Sequence, residues 1–410
     1  MPLSFKQFAS LMESPEQGGV HTPFEISPNK EVQRVIDVFG KSGVKIYIVG
    51  GAVRDSWLNH FHPDMAPQIK DFDLATPANP EMVKRILTSA GIKFGEVGAA
   101  FGVIVAFIPK GNDQYEEIEI ATFRKDIGKG RRPDSVEFTD LQTDTSRRDL
   151  TMNAMAYDPT SKQTIDYHGG LDHLKNKQVR TVNDPNARFD EDPLRVLRYV
   201  RFFSRMNGGG PNQIDDDHQK ALIAFKGMEG VSPERIREEF AKGLKSAVNI
   251  SNYLDIFQHF GLFDRVFPGL HVNKEYPDSR NIFTVLGFLL KDNDTDKLRR
   301  SLNQLTWPIP VFEGVPFLLD IKRLSRQNAS QLFYPLKKKY EKQLKHLMPE
   351  HMLKEWAIAA DLDQKLINAF DDFKLEQKVS EVPGADKAKG PEIGKIIEKH
   401  NTDKFIRTIA

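Results

Sequence analysis

The segment VKIYIVGGAVRD, Val44 to Asp55, decides how the N-terminal part of the chain is read. Its first six residues form an unbroken apolar-rich run, as a buried strand does, and Gly50-Gly51 ends that run before a helical pattern begins. Paired glycines between a strand and a helix let backbone N–H groups approach phosphate oxygens, and the helix N-terminus favours an anion. Arg54 adds a rigid positive fork suited to a triphosphate. A plain tight turn uses the same residues, so the segment alone fixes strand–turn–helix and leaves the ligand open.

Working outward, Glu31–Phe39 (EVQRVIDVF) carries apolar residues at helical spacing and Gly43 closes the pattern. Residues 1–30 are rich in Ser, Pro and Gly and are expected to be an irregular or lightly structured extension. Downstream, Asp71–Leu74 alternates as a strand does, Pro80–Ala90 is helical with proline near its start, and Val103–Ile108 and Glu117–Thr122 are β-branched strands. Strands and helices thus mix in the first third of the chain, as in a small sheet domain. Beyond Asp184 helical patterns dominate: Asp192–Ser204, Asp217–Phe225, Pro233–Leu244 and Ala247–Phe260, with Gly208-Gly209-Gly210 separating two of them.

Composition narrows the function classes. The chain has 410 residues and a net charge of +1, from 58 Lys+Arg against 57 Asp+Glu. Near-neutrality does not exclude nucleic acid, because basic patches can be local. Cysteine is absent, which removes disulfides, thiolate zinc sites and cysteine nucleophiles. The longest uncharged apolar run, Val97–Pro109, is far short of the ~20 residues of a membrane span. The N-terminus lacks a basic segment leading into an apolar one, so an intracellular, cytoplasmic protein with no membrane partner is expected. No obligate protein partner is evident in the sequence.

Asp71 and Asp73 stand two apart in KDFDLAT; on a strand both carboxylates share a face with Cα atoms roughly 6–7 Å apart. Such a pair can hold Mg²⁺, which prefers hard oxygen ligands and substrate phosphates. Two exposed acids in a turn is the plainer reading of the pair by itself. In EIEIATFR, Glu119 adds a third carboxylate on a strand face that it shares with Glu117. Strand, glycine turn, paired acids and a further acidic strand are together the layout of a nucleotidyl-transfer site.

These motifs, with VEFTDLQTDTSRRDLTMNAMAYD and EDPLRVLRYVRFFSR after them, resemble the class II tRNA nucleotidyltransferases, the CCA-adding enzymes, and their relatives the bacterial poly(A) polymerases, within the polymerase-β-like superfamily. The likeness covers Ile46 to Leu244, about half the chain, with five motifs in order. It implies an α+β fold: a nucleotidyltransferase head with a mixed β-sheet and helices, then a mostly α-helical neck, body and tail. The corresponding boundaries are an extension at 1–30, head at 31–168, neck at 169–260, body at 261–345 and a tRNA-binding tail at 346–410. By the same resemblance Asp71 and Asp73 bind Mg²⁺, Gly50, Gly51 and Arg54 meet the triphosphate, and Glu119 helps activate the primer hydroxyl. Arg148 would contact nucleotide, Asp149 and Asn153 would shape the sugar site, and Arg131-Arg132-Pro133 falls in a loop between motifs.

In EDPLR, Pro193 suits a first helical turn and Asp192 the positive end of the helix, while Arg195, Arg198 and Arg201 form a basic stripe. A capped helix with a phosphate-binding or solvated arginine face is one reading. The resemblance adds another. C and A each present an amine donor beside a ring-nitrogen acceptor, which an Asp and an Arg satisfy; G and U present a carbonyl beside an N–H and match neither. Asp192 with Arg195 would then select CTP and ATP without a nucleic-acid template.

The function implied is addition or repair of the 3′-terminal CCA of tRNA from CTP and ATP. The alternatives are a poly(A) polymerase, a CC-only or A-only enzyme, and a non-catalytic RNA-binding scaffold. Bacterial poly(A) polymerases usually carry a basic Gly-Arg-Arg-Phe-like stretch where Gly95–Val103 here has no arginine; all three carboxylates argue against a scaffold. His60 and His62 read as a polar loop rather than a metal site. Lys337–Lys345 reads as a solvated helix face or an RNA patch, and Lys387, Lys389 and Lys395 as tail candidates for RNA phosphate.

Overall fold

The computed structural model describes residues 18–65, 68–69, 71–96, 101–112, 114–127 and 135–410. Arg131-Arg132-Pro133 and residues 97–100 of the segment that separates the two polymerase readings lie outside them. The chain divides into two compact units, one ending at Gly230 and one formed by Val231–Ala410. That division falls inside the stretch 169–260 read from the sequence as a single neck.

The first unit is built on an eight-stranded sheet. Its strands are β1 (Val20–Pro23), β2 (Tyr47–Val49), β3 (Asp73–Thr76), β4 (Lys93–Gly95), β5 (Val103–Gly111), β6 (Gln114–Thr122), β9 (Ala156–Asp158) and β10 (Gln163–Asp166), in the order β1-β10-β9-β2-β3-β6-β5-β4. β7 (Arg124–Ile127) and β8 (Ser135–Phe138) form a separate hairpin. β3 and β6 pair in parallel and the other neighbours are antiparallel, so the sheet is mixed as expected. Of the segment 1–30, expected to be irregular or lightly structured, the described part contains one edge strand, β1, paired with β10.

Helix α1 (Lys30–Lys41) starts where the Asn29 side chain accepts the Val32 N–H at 2.9 Å, and buries Val32, Val35, Ile36 and Phe39, one face of a helix. β2 is buried along its whole length, and helix α2 (Gly51–Phe61) follows it without a linker. Gly50 makes this possible: its φ is +71°, and a Cβ there would stand 3.0 Å from an Arg148 guanidinium nitrogen. Gly50→Ala is therefore expected to destabilise the unit and to displace Arg148, seen as a lower melting temperature together with weaker nucleotide binding.

Helix α3 (Leu141–Ser146) and helices α4 (Pro185–Glu191) and α5 (Leu194–Met206) complete the surroundings of the site. The helix expected from Asp192 begins at Leu194, with Pro193 at its N-cap, and a separate short helix ends just before it at Glu191. Asp192 ends α4 and its carboxylate accepts the Leu194 N–H at 3.2 Å, so it still caps the second helix.

The second unit is helical. Helix α6 (Ala329–Lys339), helix α7 (Gln364–Asp372) and the C-terminal helix α8 (Pro391–Ile409) share a core in which Phe405 stacks on Phe333 at 3.8 Å. Lys337, expected on a solvated or RNA-facing surface, is instead fully buried. Its ammonium donates to the carbonyls of Phe370 (2.7 Å) and Asp371 (3.0 Å), acceptors that the last turn of α7 leaves without helical partners. Burial lowers its pKa, with Glu341 at 3.5 Å opposing. Lys338, Lys387, Lys389 and Lys395 are exposed.

Candidate active site

Two adjoining concavities in the first unit share Asp73. One, of about 330 Å³, is lined by Asp71, Asp73, Glu117 and Glu119 with Val32, Phe72, Val105, Glu116 and Ile118. The strand pairing explains the gathering of acids. β3 and β6 run parallel with Leu74 opposite Ile120, so the same register one residue back sets Asp73 beside Glu119. Ile118 and Ile120 are buried while Glu117 and Glu119 are exposed, as alternation requires. Asp71 lies before the strand rather than on it, since β3 begins at Asp73; it still lines the concavity.

Asp73 is exposed at the start of β3, yet protein groups crowd its carboxylate. Burial raises its pKa, Arg148 opposes the rise, and the Asp71 charge adds to it. A cation between the two aspartates would relieve both the burial cost and the repulsion, so the donor chemistry suits a hard divalent ion. Among the described residues no three acidic or histidine side chains converge as a complete metal cage. Two carboxylates completed by substrate phosphates is how Mg²⁺ is usually held.

The second concavity, about 510 Å³, is lined by every nucleotide-binding candidate: Gly50, Gly51, Arg54, Arg148, Asp149, Asn153, Asp192, Arg195, Arg198 and Arg201. Arg147 and Phe202 line it too and were missed, although Arg147 stood in plain view in the arginine doublet. Six arginines against three aspartates make it an anion site.

Its side chains are held by one another. Arg54 donates to both carboxylate oxygens of Asp55 (2.9 and 2.7 Å) and to the Asn153 amide oxygen (2.6 Å), so its fork already has acceptors. Asp55 also accepts from Arg205 at 3.2 Å, which ties α2 to α5. Two cations approach the Phe202 ring, the Arg54 and Arg201 guanidiniums 4.9 and 4.3 Å from its centroid. The Arg195 guanidinium donates to Glu191 (2.7 Å) and to the Arg147 carbonyl (3.0 Å).

Asp149 is buried with Arg198 at 2.6 Å and the Asn153 amide at 3.1 Å. Burial alone would raise its pKa; the Arg198 charge and the hydrogen bonds outweigh it and hold the carboxyl at about 2, against an ordinary aspartate value of 3.8. A carboxylate lowered in this way stabilises the fold above its unfolded pKa and loses that contribution as pH falls toward about 2. Asp149→Asn should then cost on the order of 2 kcal/mol at neutral pH and flatten the acid limb of stability, measurable by urea unfolding at pH 7 and pH 3.

His60 and His62 lie elsewhere. His60 packs edge-on against Trp57 and Phe61, and His62 Nε2 is 3.0 Å from the Lys175 carbonyl.

The family described as Poly A polymerase head domain matches residues 46–180, and the probable RNA and SrmB-binding site of polymerase A matches residues 213–274. The chain is 36% identical over 239 residues to the CCA-adding enzyme of Bacillus licheniformis, covering 57% of this chain and 54% of that protein. It is 29% identical over 262 residues to poly(A) polymerase I of Haemophilus influenzae, covering 60% and 54%. The chain thus spans about half the length of the curated relatives it matches. The fold is shared with the Bacillus stearothermophilus CCA-adding enzyme solved in complex with CTP, with a TM-score of 0.61, 23% identity, and coverage of 94% of this chain and 93% of that one. Residues 46–180 thus belong to the Poly A polymerase head-domain family, and the chain is similar in sequence to CCA-adding enzymes and to a poly(A) polymerase and shares the fold of a CCA-adding enzyme.

Proposed function

We propose that the protein is a template-independent tRNA nucleotidyltransferase that adds or repairs the 3′-terminal CCA of tRNA from CTP and ATP. The observation that carries this reading is the cleft itself. Asp192 and Arg195, which would read the edges of C and A, line one concavity with five further arginines, and that concavity shares Asp73 with the acidic one, which supports the reading. Gly50, Gly51 and Arg148 take the triphosphate, Arg54, its fork held by Asp55 and Asn153, adds its charge to them, Asp149 and Asn153 shape the ribose pocket, and Arg198 and Arg201 add positive charge along the same wall. Glu119, in the acidic concavity with Asp71 and Asp73, would accept the proton of the attacking 3′-hydroxyl.

Asp71 and Asp73 would hold Mg²⁺, which when bound polarises the attacking hydroxyl and stabilises charge on the phosphorus oxygens. The mostly helical remainder serves as neck, body and tail and engages the tRNA. No helix among the described residues is long and apolar enough to cross a membrane; cytoplasmic action is part of the proposal.

The deciding assay incubates the protein with tRNA lacking its 3′ end, Mg²⁺, and CTP and ATP singly and together, and sequences the products. Termination at CCA is expected. Long adenosine tracts would favour the poly(A) polymerase reading, which the Haemophilus relative supports, and products ending at CC or limited to one A would mark a specialised enzyme.

Tail binding to RNA is tested by substitution. Deleting the residues after Val379 would strip Phe405 from Phe333, and exposing such a core costs about 3–5 kcal/mol. Changing Lys387, Lys389 and Lys395 to Gln leaves the core intact. The triple variant should bind tRNA more weakly and with a shallower salt dependence, the log–log slope falling by about 0.9 for each phosphate no longer neutralised. Equal affinity and slope across a salt series would give the tail a structural role only.

A further inference from the structure

Beneath the arginine cleft lies a carboxylate that does not line it. Asp144, within the short helix α3, is 1% exposed. Its Oδ1 accepts from Arg147 Nε (3.0 Å) and Nη2 (2.9 Å) and from the Arg124 backbone N–H (3.1 Å). Its Oδ2 is buried and has no hydrogen-bond partner; Arg148 Nη2 stands 3.6 Å away, an ion-pair distance too long for a hydrogen bond.

One carboxylate therefore treats two neighbouring arginines differently. Arg147 is clamped. Arg148 is held loosely, with its Nε unbonded and its Nη1 at 3.4 Å from the Asn153 carbonyl, against the Gly50 turn. The clamp on Arg147 reaches further, because the Arg147 carbonyl accepts from Arg195 Nη2 at 3.0 Å. Through one side chain the phosphate-facing Arg148 and the base-facing Arg195 share a buried support.

We propose that Asp144 is a positioning residue for nucleotide binding: it pins Arg147 so that the Arg147 carbonyl fixes Arg195, and it balances Arg148 without capturing it, leaving that guanidinium available to an incoming triphosphate. The proposal rests on the reading of this cleft as the nucleotide site. Charge is the reason a carboxylate is needed. A neutral side chain would leave two adjacent guanidiniums partly buried with their shared counter-charge removed, and their repulsion would splay the turn that carries the Arg147 carbonyl. Fully pairing Arg148 would be no better, since a triphosphate would first have to break that pair.

The test is Asp144→Asn, which conserves size and the Oδ1 acceptor while deleting the charge. Nucleotide binding is measured directly with CTP and ATP, alongside transfer to tRNA with CTP, ATP and UTP and a thermal melt. The expected result is a KM at least about tenfold higher for both CTP and ATP, with kcat per binding-competent molecule changed much less, and increased UTP incorporation as Arg195 loses its anchor. A purely structural residue would lower the melting temperature or the active fraction while KM and the CTP-to-UTP ratio stayed at wild-type values, and that result overturns the proposal. If Asp144→Asn does not fold, Arg147→Gln removes the clamped partner and leaves Asp144 facing Arg148. It must then relax rejection of UTP, and unchanged selectivity overturns the proposal equally. Failure of the wild-type protein to bind CTP or ATP would instead refute the reading of the cleft.

Discussion

Asp73→Ala is expected to lower nucleotidyl transfer at least about 100-fold, and Asp71→Ala likewise, with the fold retained. Both carboxylates line the acidic concavity, and Asp73 alone also reaches the arginine cleft. Metal stabilisation of a phosphoryl transition state is worth several kcal/mol, and each 1.36 kcal/mol is a factor of ten in rate. Stability should move the other way from activity. The Asp73 pKa is raised, chiefly by burial, so the ionised group costs folding free energy at pH values above its folded pKa. Asp73→Asn should leave the metal-free melting temperature unchanged or higher at neutral pH while transfer collapses. A single-turnover assay beside a melt checks both, and near-normal transfer by a well-folded variant would refute the metal assignment.

The second large effect concerns base choice. A good bidentate base contact discriminates by about 1–3 kcal/mol, a scale taken from DNA readout, so Asp192→Ala or Arg195→Ala should relax rejection of UTP and GTP by roughly 10- to 100-fold while weakening CTP and ATP use. Arg195→Lys should fail as well. The guanidinium bridges Glu191 and the Arg147 carbonyl, and an ammonium lacks the planar fork that holds two acceptors in fixed directions. Competition assays with all four nucleotides measure this directly. If both variants lost activity equally on every nucleotide, the pair would be structural or phosphate-binding.

Much of the head was legible because its signals are local. The spacing of Val32, Val35, Ile36 and Phe39 and the run into Gly50-Gly51 needed only a short window of sequence. What escaped depends on distant partners. β1 contains a proline and two polar residues, and it becomes a strand because β10, more than a hundred residues later, offers an edge. Lys337 looked like one more surface lysine in KKK; only the approach of α7 gives its ammonium two carbonyls inside the core. At the site, acids and arginines announced themselves by type and spacing. The supports Asp55, Asp144 and Glu191 did not, because a carboxylate a few residues from an arginine is commonplace on any helix.

The parallel pairing of β3 with β6 has a consequence for how the acidic concavity can change. Asp73 and Glu119 come from strands joined by a long excursion through β4 and β5, yet their juxtaposition is set by one ladder of hydrogen bonds. Side chains alternate along β6, so slipping that ladder by one position would turn Glu119 into the core and bring Ile118 or Ile120 out to face Asp73. No graded intermediate exists between those registers. Lengthening the β5–β6 hairpin at its tip, near Gly111, leaves the ladder alone, whereas one residue inserted within β6 between Glu119 and Thr122 switches the acid off outright. The chain can therefore drift in the length of its excursions while the spacing of its carboxylates stays quantised.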